Sequence, residues 1–197
     1  MPQTNAHVIL CSVLCFEEED SQVRFDEGAQ LLVLIKHREL VALPLPPGPS
    51  TSRSDSFQDL APMRCDSQGN VERVGFALDR RYAAVQRSAV EIEFLSLHSL
   101  PSFSHVCVGG GSRSRWRILG FHWTGTPFSD FVVVTTTGVE FYQFFPEHKC
   151  LKLVKHLSQP VSWAHYSHEA RLILLASGAQ VSLTTDRIGA SWRLLTG

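Results

Sequence analysis

Apolar residues in this chain come in short runs ended by turn residues. The clearest series covers residues 118–154, ILGFHWTGTPFSDFVVVTTTGVEFYQFFPEHKCLKLV. Its runs occupy 118–123, 131–136, 139–145 and 150–154, and the breaks fall at Gly125-Thr126-Pro127, Thr137-Gly138 and Pro146-Glu147-His148. Short runs rich in Val, Phe, Thr, Tyr and Trp, punctuated by Gly and Pro, are strand signals. The connections are too short for a crossover helix, so consecutive strands pair antiparallel. The pattern predicts a four-stranded meander.

A strand with one wet face alternates apolar and polar side chains. Here Val132, Val133 and Val134 follow Phe131 without a break, and Phe141, Tyr142, Phe144 and Phe145 populate both faces. Both sides of the sheet therefore need cover. No helical segment lies nearby, so the cover is further sheets of the same kind, the arrangement of β-propeller blades.

The rest of the chain repeats the pattern. Strand-rich units are expected at about 20–45, 71–97, 117–155 and 161–197, with loops at 44–56 (Pro, Gly and Ser rich) and 101–115. The leading strands start at Val71, Ile118 and Val161, a spacing of about 45 residues, near the period of propeller blades. That period favours a propeller over a β-sandwich, although Trp-Asp and Gly-His signature dipeptides are lacking. The expected fold class is all-β, a β-propeller of WD40-like blades with four antiparallel strands each. Three to four units are few for a ring of ~4–8 blades, and the chain stops just after the apolar Trp192-Arg193-Leu194-Leu195. An incomplete propeller, a fragment of a longer protein, is the expectation.

Composition narrows the function classes. A hydrophobic fraction of 44% with 19% charged residues is globular, and a net charge of -1 offers no basic footprint for nucleic acid. Five cysteines at irregular spacing suggest a reducing compartment rather than a disulfide framework. The N-terminus lacks a basic region before its short apolar stretch, and the longest apolar run, Leu31–Ile35, is far short of the ~20 residues of a membrane span. These features predict a soluble intracellular protein.

Catalytic motifs are missing: no G-x-S-x-G, H-E-x-x-H or phosphate-binding G-x-x-x-x-G-K occurs. No enzymatic role and no cofactor is expected. Cys11 and Cys15 form one loose pair, Cys65, Cys107 and Cys150 stand alone, and His165 and His168 lack a partner pair, so core cysteines and solvated turn histidines are expected rather than zinc. Gly109, Gly110 and Gly111 beside Arg113, Arg115 and Arg117 make a candidate contact with an anionic surface, against the plainer reading of a flexible loop between blades. Asp79-Arg80-Arg81-Tyr82 places Tyr82 where the Arg-Arg-Gly element of phosphoinositide-binding propellers has glycine. The acidic residues 17–20 read as a solvated turn. Trp116, Trp123, Trp163 and Trp192 lie on or beside strands and read as core.

One family shares an ordered set of these segments. FALDRRYAAVQRS (76–88), ILGFHWT (118–124), GVEFYQ (138–143), LKLVK (151–155) and VRFDE (23–27) resemble the Mic/Bulli type, the regulator subunit of the Mon–Ccz guanine-nucleotide exchange complex. The likeness extends over about residues 20–177. It implies the N-terminal β-propeller of a larger protein whose helical C-terminal half is absent from this chain. It also implies Mon and Ccz subunits as partners and a non-catalytic part in activating the late-endosomal Rab GTPase, in endosome maturation, lysosomal fusion and autophagy. The location implied is cytoplasmic, peripheral on late endosome and lysosome membranes. The alternatives are a propeller that binds anionic membrane through its basic loop and a generic protein-interaction propeller.

Overall fold

The computed structural model describes residues 22–36, 39–45, 63–66, 69–97, 102–106, 116–124, 130–178, 180–185 and 191–194. Among the described residues sixteen strands form four separate four-stranded antiparallel sheets, each a meander in sequence order. The first sheet holds β1 (Gln22–Asp26), β2 (Leu31–Ile35), β3 (Glu39–Pro44) and β4 (Met63–Asp66). The second holds β5 (Arg73–Phe76), β6 (Tyr82–Gln86), β7 (Glu91–Ser96) and β8 (Phe103–Val106). The third holds β9 (Ile118–Trp123), β10 (Phe131–Thr135), β11 (Gly138–Phe145) and β12 (Cys150–Ser158). The fourth holds β13 (Trp163–Ser167), β14 (Leu172–Ser177), β15 (Gln180–Thr185) and β16 (Ser191–Leu194). Among the described residues the helical structure is a single 3-10 turn, Pro146–His148.

Packing follows from the unbroken apolar runs. Every residue of β10 is buried. Successive side chains of a strand point to opposite faces, so Phe131 and Val133 join the core between the second and third sheets, while Val132 and Val134 join the core between the third and fourth. In β6, also wholly buried, Tyr82 and Ala84 face the third sheet and Ala83 and Val85 face the first. The inner sheets are thus dry on both sides, as a blade between two blades must be. The fourth sheet differs. Ile173 and Leu175 are buried toward the third sheet, whereas Leu172, Leu174 and Ala176 on the opposite face are half-buried and Trp163 is 51% exposed.

The first strand of each sheet lies innermost. β5 and β13 flank β9, and β1, β5, β9 and β13 together line one central cavity. The outer strands β8 and β12 are wet, exposed or half-exposed along their length. Backbone bonds staple neighbouring sheets, with the Ile118 N–H donating to Ala89 O at 2.7 Å and the Val161 N–H to Thr136 O at 3.0 Å.

Three expectations need correction. The stretch 101–115 is not all loop, because Phe103–Val106 is the fourth strand of its sheet. Its polar sequence FSHV hides it, yet Phe103 stacks on Phe94 with ring centroids 5.0 Å apart. The first unit does not end at 45: β4 lies beyond the proline-rich stretch, paired with β3 in the register Leu40↔Cys65 and Val41↔Arg64, and Pro44, expected to open a loop, is instead the last residue of β3, while 46–56 of that expected loop lie outside the described residues. Pro44 can close a strand because a proline there removes no interior ladder bond. The last strand of the third sheet runs to Ser158 rather than 154, with an irregular register between Phe141 and Tyr142 that lets it follow β11.

Candidate functional site

Among the described residues two concavities between the sheets stand out. The central cavity, about 250 Å³, is lined from all four sheets and includes Arg24, Asp26, Arg73, Phe121, His122 and His168. Asp26 organises it. One carboxylate oxygen accepts the Ala29 N–H at 2.9 Å and closes its own turn; the other accepts the Phe76 N–H at 2.7 Å and ties the first sheet to the second. Arg24 donates to Glu72 O at 2.9 Å across the same seam. Opposite, His168 packs against Gly28, where any Cβ would collide with the imidazole ring. That glycine is required by close approach rather than by its backbone angle.

Burial holds His122 down to about 3, helped by the charges of His168, His165 and Arg73. His122 keeps some exposure, but its ring lies against Tyr166 with centroids 5.0 Å apart, so the imidazole is neutral at neutral pH. Burial also lowers His168, against the opposing pull of Asp26 and Glu27. His168 is therefore not the solvated turn histidine expected; it bridges the fourth sheet to the first. Asp26 is committed to backbone and His122 is neutral and enclosed, so the cavity is a structural hub. Among the described residues no group of three or more His, Cys, Asp or Glu could hold a metal ion.

The second concavity, about 630 Å³, lies between the second and third sheets. Its walls are Ala77, Leu78, Tyr82, Trp123, Phe144 and Pro146, and its rim carries Asp79, Asp130 and Glu147 with Arg81. The β5–β6 hairpin presents Leu78 and Asp79: the Ala77 N–H bonds Tyr82 O at 2.9 Å and the Arg80 N–H bonds Ala77 O at 2.8 Å, with Arg80 in the left-handed region. Asp130 is fixed by its own N–H to Tyr142 O and by a carboxylate oxygen that accepts the Phe144 N–H, each at 2.9 Å. Phe94 and Phe131, behind the walls, join Trp123 and Phe144 in a continuous aromatic cluster.

Of the arginines singled out as an anionic contact, Arg113 and Arg115 lie outside the described residues. Arg117 is exposed at the entry to β9, its backbone N–H bonded to Thr136 Oγ1 at 3.1 Å. Trp123 belongs to the core as expected and half-buried Trp116 packs against it, but Trp163 lies on the open face of the fourth sheet. Cys150 is exposed and free, not a core cysteine. Sequence reading missed the rim of the second concavity. Its acids fall in turns, where Asp and Glu are common for local reasons, and only the fold brings Asp79, Asp130 and Glu147 around one opening.

Stacked four-stranded meanders with their first strands about a common axis define the class: a β-propeller module, with four blades among the described residues. Solved structures agree on this fold. The WD40 domain of SCAP from fission yeast superposes with a TM-score of 0.58 at 11% identity, covering 87% of this chain and 43% of that one. A protein from Lactobacillus plantarum superposes at 0.56 and 8% identity, covering 88% and 53%. The chain belongs to the family described as Regulator of MON1-CCZ1 complex, N-terminal, which matches residues 23–151. The mouse protein named Regulator of MON1-CCZ1 complex is 34% identical over 117 residues, which are 58% of this chain and 17% of that protein; the human one is 33% identical over the same extent. The matched segment thus spans about a sixth of the length of these curated relatives.

Proposed function

We propose that this chain supplies propeller blades to a regulator of the MON1-CCZ1 complex and acts there as a non-catalytic docking body. The observation that carries this reading is the family match over residues 23–151, which covers the second sheet whole, nearly all of the first and the first three strands of the third. In this role the protein contacts the Mon and Ccz subunits and supports their loading of the late-endosomal Rab GTPase. It thereby serves endosome maturation, lysosomal fusion and autophagy, from a cytoplasmic position peripheral on late endosome and lysosome membranes.

Co-purification tests it. The full-length protein co-expressed with tagged Mon and Ccz subunits elutes with both in size-exclusion chromatography; recovery of neither overturns the reading. A second reading, contact with anionic membrane through Arg113, Arg115 and Arg117, draws on the exposure of Arg117. Flotation with phosphatidylserine vesicles after changing all three to Glu decides it, since unchanged binding removes the loop from consideration.

A further inference from the structure

We propose that the cleft between the second and third sheets is a docking pocket for an extended segment of a partner protein that inserts a lysine or arginine side chain beside an apolar residue. The assignment stands on the cleft itself and not on membership of any complex.

Size comes first. A volume of about 630 Å³ falls in the range of ligand-holding clefts and exceeds what one apolar side chain fills. Lining chemistry comes second. The walls are apolar and aromatic, Tyr82, Trp123, Phe144 and Pro146, while Leu78 at the mouth is 46% exposed. An arginine or lysine suits such a space because its methylene stem lies along apolar surface while its charged head reaches polar groups at the edge.

Charge complementarity selects the sign. Among the described residues lining the cleft, Asp79, Asp130 and Glu147 face one cation, Arg81, whose guanidinium stands 3.9 Å from Asp79 in a mostly exposed pair. Such an exposed pair is weak and easily rearranged, and two carboxylates remain uncompensated. Asp130 spends one oxygen on the Phe144 N–H, leaving the other to accept. Tyr82 keeps only 3% of its surface, and its phenol is raised above the ordinary value by burial first, then by Asp79, with Arg81 opposing and Glu147 adding. The carboxylates together prevail over Arg81 at the pocket wall. Polyanions such as nucleic acid or an acidic lipid surface are repelled by this rim; a basic peptide is attracted and held by charge-assisted hydrogen bonds.

A displayed library of random-sequence peptides, panned against the full-length protein, provides the test. Selected sequences are expected to be enriched in Arg or Lys next to an apolar residue. A representative synthetic peptide is then expected to bind about tenfold more weakly when its basic residue becomes Gln, with a similar loss for the protein variant Asp79→Asn/Glu147→Gln. Both replaced side chains are exposed, so the variant's unfolding midpoint stays unchanged; Leu78→Ser weakens binding of the same peptide by an independent route. Absence of enrichment, selection of neutral or acidic sequences, or identical selection by the wild type and the double variant overturns the proposal. So does concentration-dependent self-association abolished by the same variant, because the cleft would then belong to a second copy of this chain.

Discussion

The indole Nε1–H of Trp123 donates to the carbonyl of Gly75 at 3.1 Å, so a side chain of the third sheet completes the backbone bonding of the second. The same ring packs edge-on against Phe131, Phe94 and Phe144, with centroids 4.8, 5.9 and 5.0 Å away. One residue therefore joins two blades by polar and by aromatic contact at once. Gly75 itself leaves little room, since a Cβ there would stand 3.1 Å from the Phe121 ring. Trp123→Phe keeps an aromatic body but strands the Gly75 carbonyl. A loss of about 1–3 kcal/mol is expected, read by urea denaturation with the slope unchanged.

Asp26 serves two N–H donors from different sheets. Asparagine has one carbonyl oxygen where aspartate has two acceptors, and its amide group would oppose the second N–H. Asp26→Asn is expected to destabilise by about 1–3 kcal/mol, with Phe76 losing hydrogen-exchange protection more than Phe141. Equal loss at both would mean that the carboxylate does not act at this seam.

Neighbouring β10 residues face different sheets. A charge placed on either side meets dry packing, and burying an unpaired carboxylate costs several kcal/mol. Val132→Asp and Val133→Asp are both expected to abolish the cooperative unfolding transition in circular dichroism. A protein that tolerated one of the two would have a wet face on its third sheet, contrary to the blade arrangement.

The central imidazoles make the fold acid-sensitive. His122 and His168 titrate below the ordinary value of 6.5 in the folded chain, so the unfolded chain binds more protons across that interval. Stability is then greatest above about 6.5 and falls as pH drops toward the folded value of about 3 for His122. Denaturation midpoints are expected to decline steadily from about pH 7 to about pH 4, and His122→Gln is expected to flatten the decline. A midpoint that rises over this range would reverse the sign and remove His122 as its source.

Much of the blade pattern could be read from the chain because its cause is local. Phe131 to Val134 announce two dry faces by failing to alternate, and Pro146-Glu147-His148 marks the turn that ends β11. Phe103–Val106 could not be read this way, since an outer strand whose packed side chains are Phe103 and the polar ring of His105 carries too few apolar positions to signal itself. Met63–Asp66 was hidden by distance: its pairing with β3 spans a long insertion, and no local rule connects them. The family resemblance rested on ordered motifs and reached the right family without any of this geometry. The acidic cleft was invisible for another reason. Asp79, Asp130 and Glu147 lie on three separate turns, and only the stacking of two sheets makes them neighbours.

The opposed loyalties of consecutive β10 side chains constrain how the third sheet can change. A bulkier group at Val132 pushes the strand toward the second sheet, where Phe131 and Val133 already fill the gap with no exposed surface. The strand cannot retreat from one neighbour without invading the other, since close-packed interiors transmit strain rather than absorb it. Enlargement on one side of that strand therefore has to be matched by reduction across the same seam, so tolerated sequence changes should travel as partnered exchanges between adjacent blades.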